Sequence, residues 1–235
     1  MKKMIAFRLW GDYAHFKKYY TTTSPLTFEV PPPPTLIGII SAIIGLGKKE
    51  YLNYFQDENV YGLAIVLNRP VQKVRWTINL IDTKRHFWKI QNRTQIRTEY
   101  LKSPDYNIYF WHQEKSIYVN LLKNLRLHQS VYSVALGLSE LLGNFQFVGE
   151  TEAWQKTTSE AVEIHSVFPF SLIKENSLSF EVGKEIFEVN YPLHMLPNRE
   201  VDRRDHLIFE RNGRSIRCIP KVYWQTREGN NIVFL

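Results

Sequence analysis

Three observations predict an α+β fold. Stretches near the N-terminus and in the middle of the chain alternate apolar and polar residues with the two-residue period of strands. The segment from Leu36 to Leu46 is apolar nearly all round, the pattern of a buried helix. From about Ala161 onward the chain breaks into short strand-like runs separated by turn residues. With 235 residues, the chain can bury a substantial core as one large domain or two small ones.

The first strand is "KMIAFRLW": Ile5, Phe7 and Leu9 share one face, and Ala6, Arg8 and Trp10 share the other. A polar, aromatic connection then leads to Pro31–Pro34. Four prolines favour an extended approach that donates no backbone hydrogen bonds. Thr35 follows as the expected helix N-cap. In the helix, Ile37, Ile40 and Ile44 share one face, and Leu36, Ile39 and Ile43 another. Gly38, Ser41, Ala42 and Gly45 form a small-residue face, expected to pack tightly under a neighbouring backbone. Gly45 or Gly47 can supply a left-handed C-terminal turn, with "KKEYLNYFQ" available to extend the helix. The helix N-terminus is a position that could hold a phosphate. Eleven residues of helix cover about 17 Å, against about 30 Å for a bilayer core. The N-terminal Lys2 and Lys3 resemble a signal peptide, but Arg8 breaks the apolar run and no small-residue cleavage site follows. The expectation is a soluble, cytoplasmic protein with no membrane partner.

"VYGLAIVLN" and "VQKVRWTINLID" read as strands joined through Asn68-Arg69-Pro70. The next stretch, from Thr83 to Tyr100, has no helical stripe and reads as a long hairpin projecting from the sheet. "YNIYFW" is another strand. "SIYVNLLKNLRL" and "SVYSVALGLSELLGNF" are helix candidates, and "FQFVGETEAW" returns to the sheet. The order strand, helix, strand, strand, helix, strand is that of a ferredoxin-like (RRM-like) domain. Residues 1–160 form this domain and 161–235 a small all-β unit. Within the latter, "SLSFEV", "EIFEVNYPLHML", "HLIFER", "SIRCIPKVYWQ" and "NIVFL" are the expected strands, with Asn212-Gly213 as a hairpin turn.

Several chemistries lack their residues. Cys218 is the only cysteine, so a disulfide framework and a multi-cysteine metal site are excluded. No P-loop or dinucleotide-binding glycine motif appears. The seven histidines, including His112, show no metal-ligand spacing, and no cofactor or metal is expected. "DRRD" (Asp202 to Asp205) reads as a solvated charge cluster. The charge distribution is more telling. Nine basic residues and only two acidic ones lie between Arg69 and Lys102, an excess equal to the net charge of +7 of the whole chain. Lys84, Arg85, His86, Phe87, Trp88 and Lys89 set cations beside rings. Single-stranded RNA is bound by that combination, with phosphates neutralised and splayed bases stacked.

Gly11, Ala14 and Phe16, followed by Pro33, Pro34, Thr35, Leu36 and Gly38, resemble the N-terminal signature of the CRISPR-associated Cas-five family. "EYLKSPDYNIYF" and "SVYSVALGLSELLG" resemble its later blocks, and the C-terminal style resembles type I-B variants. The resemblance implies a repeat-associated (RAMP) fold with a hairpin thumb at about residues 83–104. It implies a non-catalytic role: binding and capping the 5′ handle of the CRISPR RNA within Cascade, beside the backbone and large subunits. The residues assigned to RNA contact are Arg8, Trp10, Tyr13, Lys17, Lys18, Thr35, Lys84, Arg85, His86, Trp88, Lys89, Arg93 and Arg97. One branch of the family processes precursor RNA as a metal-independent endoribonuclease with Tyr, His and Lys. That trio does not map residue by residue onto this sequence, although His112 and Lys115 lie close in sequence, and a metal-independent endoribonuclease processing precursor RNA is the alternative function.

Overall fold

A computed structural model describes residues 1–21, 23–57, 59–81 and 93–235. Its element order is β1 (Lys2–Gly11), β2 (Tyr13–Ala14), α1 (Pro33–Ile44), β3 (Tyr61–Leu67), β4 (Lys73–Ile81), β5 (Arg93–Lys102), β6 (Asp105–His112), α2 (Lys115–Arg126) and β7 (Gly143–Lys156). The C-terminal third adds β8 (Val162–Ile164), β9 (Phe168–Pro169), β10 (Ile186–Met195), β11 (Val201–Glu210), β12 (Ile216–Cys218), β13 (Tyr223–Thr226) and β14 (Asn231–Ile232). The result is a mixed fold, mostly strands, with two α-helices among the described residues.

Six strands form the main sheet in the order β14-β13-β7-β1-β6-β3. β1 is expected to have one core face, but both faces are buried over its first half, with Met4 and Ala6 in a second cluster with Ala64, Tyr109 and Ala153. Ile5, Phe7 and Leu9 are fully buried against Leu36, Ile40 and Ile43 of α1 and Leu121 and Leu125 of α2. The C-terminal third shares this core: Tyr191, Leu193, Leu207 and Phe209 belong to the same cluster, and β13 and β14 extend the sheet beyond β7. β4 and β5 leave the main sheet and pair with each other and with β2.

The prolines act differently from the expectation. Pro32 is the N-cap, and Pro33 and Pro34 occupy the first turn, where a missing N–H costs nothing. Thr35 is therefore inside the helix rather than its cap. The N–H groups of Thr35 and Leu36 both donate to the Pro32 carbonyl, at 2.8 and 3.1 Å. The first turn thus has no spare backbone donor at these four positions, and the expected phosphate cradle is absent there. The helix stops at Gly45, whose φ of 86° is left-handed and whose N–H donates to the Ser41 carbonyl. It does not continue; residues 51–55 form a separate 3₁₀ turn.

Three other expectations are corrected. "SVYSVALGLSELLGNF" forms no helix. Val131 and Tyr132 donate their N–H groups to the last carbonyls of α1, at Ile43 and Ala42, and Gly137 brings its backbone against the His15 carbonyl. A Cβ at Gly137 would sit 1.9 Å from that oxygen, and its φ of 102° is left-handed. A helix permits neither. "SLSFEV" forms no strand, because β12 takes β8 as its partner and Phe180 and Val182 stay in solvent. Asn212-Gly213 is a turn, but it joins strands of different sheets: β11 pairs with β10 and β9, and β12 with β8.

Candidate nucleic-acid interface

The β4–β5 register sorts the hairpin into two faces, since residues opposite one another in an antiparallel pair point the same way. Trp76 opposite Thr98, Ile78 opposite Ile96, and Leu80 opposite Thr94 make an apolar face. Arg75 opposite Glu99, Thr77 opposite Arg97, and Ile81 opposite Arg93 make a face rich in arginine. Arg93 and Arg97 are exposed, and among the described residues neither has an acidic partner. On the apolar face Trp76 is 44% exposed and packs on Tyr13 and Tyr100, with ring centroids 4.4 and 5.3 Å away.

A chain of charges ties the hairpin foot to the segment before the prolines. Glu29, 7% exposed, accepts from Lys18 at 3.1 Å and from Lys73 at 2.7 Å. Lys73 also reaches Glu99 at 3.0 Å, and Arg75 closes on the other Glu99 oxygen at 3.1 Å. The Tyr191 hydroxyl accepts the N–H groups of Glu29 and Val30 and donates to the Glu29 carboxylate. Burial alone would raise the Glu29 pKa, but the Lys73 and Lys18 ammonium groups outweigh it and hold the carboxyl below its ordinary value. Burial likewise opposes charge on Lys73, yet Glu29 and Glu99 hold its pKa above the ordinary value.

The expected contact residues therefore divide. Lys18 is buried and committed to Glu29, so it is a structural cation rather than a free surface one. Arg8 forms a two-pronged pair with Asp105, at 2.9 and 2.5 Å, and lies over the Trp10 ring. Lys17 is exposed, and Tyr13 is half-buried under Trp76. Lys84, Arg85, His86, Trp88 and Lys89 lie outside the described residues. Thr35 lines a groove of about 430 Å³ with Pro34, Gly38, Ala42, Tyr51 and Arg199. A Cβ at Gly38 would meet nothing within 4 Å. That part of the small-residue face lines an open groove instead of packing under a backbone. Gly45 is the exception, lying tight against Val131.

Both ring nitrogens of His112 contact backbone groups. Its Nδ1 accepts the Glu114 N–H at 3.0 Å, so its Nε2 carries the proton donated to the Tyr54 carbonyl at 2.8 Å. Burial pushes its pKa down. Sequence reasoning missed Glu29, Glu99 and Tyr191 as organisers of the interface. A signal existed for the two acids: Glu29 sits in an apolar run before the prolines, and Glu99 is nearly alone among cations.

Comparison with known proteins is consistent with this geometry. The family model described as CRISPR-associated protein (Cas_Cas5) matches residues 4–116. A crystal structure of a CRISPR protein from Archaeoglobus fulgidus shares the fold with a TM-score of 0.59 at 11% identity, over 99% of both chains. A chain of a CRISPR RNA-guided surveillance complex aligns with a TM-score of 0.50 at 12% identity, over 91% of both chains. No curated protein sequence matches the chain. Residues 4–116, which hold the N-terminal strand, the proline-led helix and the charged hairpin, carry the similarity to the CRISPR-associated Cas5 family.

Proposed function

We propose that the chain is the CRISPR RNA-binding subunit of a type I effector complex of I-B character, Cascade. There it recognises and caps the 5′ handle of the RNA in antiviral defence. The spatial order β7-β1-β6-β3, with α1 and α2 packed into one core, supports reading the first part as a ferredoxin-like RAMP domain. The β4–β5 hairpin is then its thumb. The observation that carries the reading is the hairpin's arginine face. Glu29 and Glu99 are neutralised at its foot by Lys18, Lys73 and Arg75, leaving Arg93 and Arg97 for phosphates. The family similarity and the likeness to a CRISPR RNA-guided surveillance complex support RNA and other complex subunits, the backbone and large subunits, as partners.

In this reading the chain binds without cutting. Both ring nitrogens of His112 are committed to backbone groups, which leaves it poorly placed as a general base. Incubating the purified chain with repeat RNA in EDTA tests the point. Intact RNA with tighter binding of handle than of scrambled sequence is expected. Specific cleavage would make the chain a metal-independent ribonuclease, and equal binding of both RNAs would make it a general single-strand binder.

A further inference from the structure

At the foot of the hairpin, on its arginine side, lies a cavity of about 270 Å³ lined by Glu29, Val71, Lys73, Phe187, Phe209 and Arg211. One water needs about 10–15 Å³ of such space, so the cavity is large enough for a group the size of one pyrimidine base. Phe187 and Phe209 are cross-strand partners on β10 and β11, with rings nearly parallel at 9° and centroids 5.7 Å apart. Phe209 is buried, while Phe187 is 38% exposed, so the stack offers an aromatic surface. The polar lining is unevenly available. Lys73 is saturated by Glu29, Glu99 and the Thr27 carbonyl. Arg211 uses Nε on the Val71 carbonyl and Nη1 on Glu185, which leaves Nη2 without a partner among the described residues. Among the described residues, Glu29 receives the two lysines on Oε1 and only the Tyr191 hydroxyl on Oε2. An ionised carboxylate is acceptor-only, with room for one more donor on that second oxygen.

The hairpin register leads to this cavity. Arg93, Arg97, Arg75 and Lys73 follow one another on a single face, and Lys73 is in the cavity wall. From Arg97 to the position opposite Lys73 is four residues, about 14 Å of strand.

We propose that the cavity is a nucleobase pocket. A base of the bound single strand splays out, stacks on Phe187 and turns an N–H₂ edge toward Glu29, while Arg211 neutralises the adjoining phosphate. Cytosine, with an exocyclic amine where uracil has a carbonyl, is the preferred pyrimidine. The proposal rests on the RNA-binding reading and adds to it a base-selective subsite away from the hairpin itself.

The test is fluorescence anisotropy of labelled single-stranded octacytidylate and octauridylate with the full chain, at several salt concentrations. The parent protein should prefer octacytidylate by roughly tenfold, the scale of one hydrogen bond to a charged acceptor. Phe187→Leu, which keeps apolar bulk but removes the ring, should weaken octacytidylate binding by about tenfold, the scale of a lost base stack. Its salt dependence should stay that of the parent. Val71→Phe, which fills the cavity from another lining residue, should abolish the cytidine preference while keeping overall RNA affinity. If both variants bind the two RNAs as the parent does, the pocket is overturned and the RNA-binding reading stands. If the parent binds the two RNAs equally, or neither, the pocket is overturned, and the handle-RNA comparison decides the RNA-binding reading separately.

Discussion

Individual residues carry the foundation of the hairpin. Glu29 neutralises a buried lysine, Lys18, and a half-buried one, Lys73, so Glu29→Gln leaves two ammonium groups facing a neutral amide. Breaking one partner of a buried ion pair costs about 3–5 kcal/mol, and a lowered urea midpoint with an unchanged slope would register it. Glu210 does a different job. Its side chain is fully buried and accepts from the N–H groups of Glu185, Asn212 and Arg214 and from the Arg214 guanidinium, thereby holding the turn after β11. Burial would raise its pKa, but the Arg214 guanidinium, the N–H groups of Arg214 and Glu185 and the Asn212 side-chain amide dominate and hold it at about 2. A carboxyl depressed in the folded state adds stability that is complete above its unfolded value of 4.5 and fades as pH falls toward about 2. Glu210→Gln should therefore be less stable than the parent by about 2–3 kcal/mol at pH 7. The gap should shrink below pH 4.5, as read from urea unfolding at stepped pH. A gap independent of pH would remove the charge from the explanation.

Two elements behave in opposite ways. The Gly38 side of α1 is open, so Gly38→Leu should leave the melting temperature close to that of the parent, whereas Gly137→Ala must displace the His15 carbonyl. The latter should cost well over 1 kcal/mol, because the left-handed φ adds strain to the clash. Side-by-side thermal melts separate the two, and a destabilised Gly38→Leu would mean that the groove closes in solution. Beyond its short pairing with β2 the hairpin is a two-stranded ribbon, and Trp76 packs on Tyr13 and Tyr100 at its foot. Losing those ring contacts in Trp76→Ala should cost about 1 kcal/mol of stability. If Trp76 also stacks a base, RNA binding weakens by roughly 1–3 kcal/mol; normal binding would confine the ring to packing.

Across the whole molecule, what could be read in the sequence was the period-two and all-apolar segments. α2 is set by burial of one face, and β1, β3, β6 and α1 by burial on more than one, and burial leaves a direct mark on residue order. "SVYSVALGLSELLGNF" misled because its apolar residues satisfy a helical spacing, while the decisive facts are non-local: the carbonyls of α1 and the approach of His15 to Gly137. "SLSFEV" misled for the same reason, since a strand needs a partner edge that its own residues do not announce. The basic segment was visible as composition. Which cations are free was not, because Lys18, Lys73 and Arg75 are committed by Glu29 and Glu99 only after folding brings distant segments together.

The central claim is that RNA is held by the uncommitted arginines of the hairpin. The most direct measurement is the slope of log affinity against log salt for handle RNA, in the parent and in Arg93→Gln/Arg97→Gln. Each lost phosphate contact to a single strand should flatten the slope by about 0.7. The account predicts a steep parent slope and a reduction of about 1.4 in the double variant, with its melting temperature retained. A folded double variant with the parent's slope and affinity would contradict it.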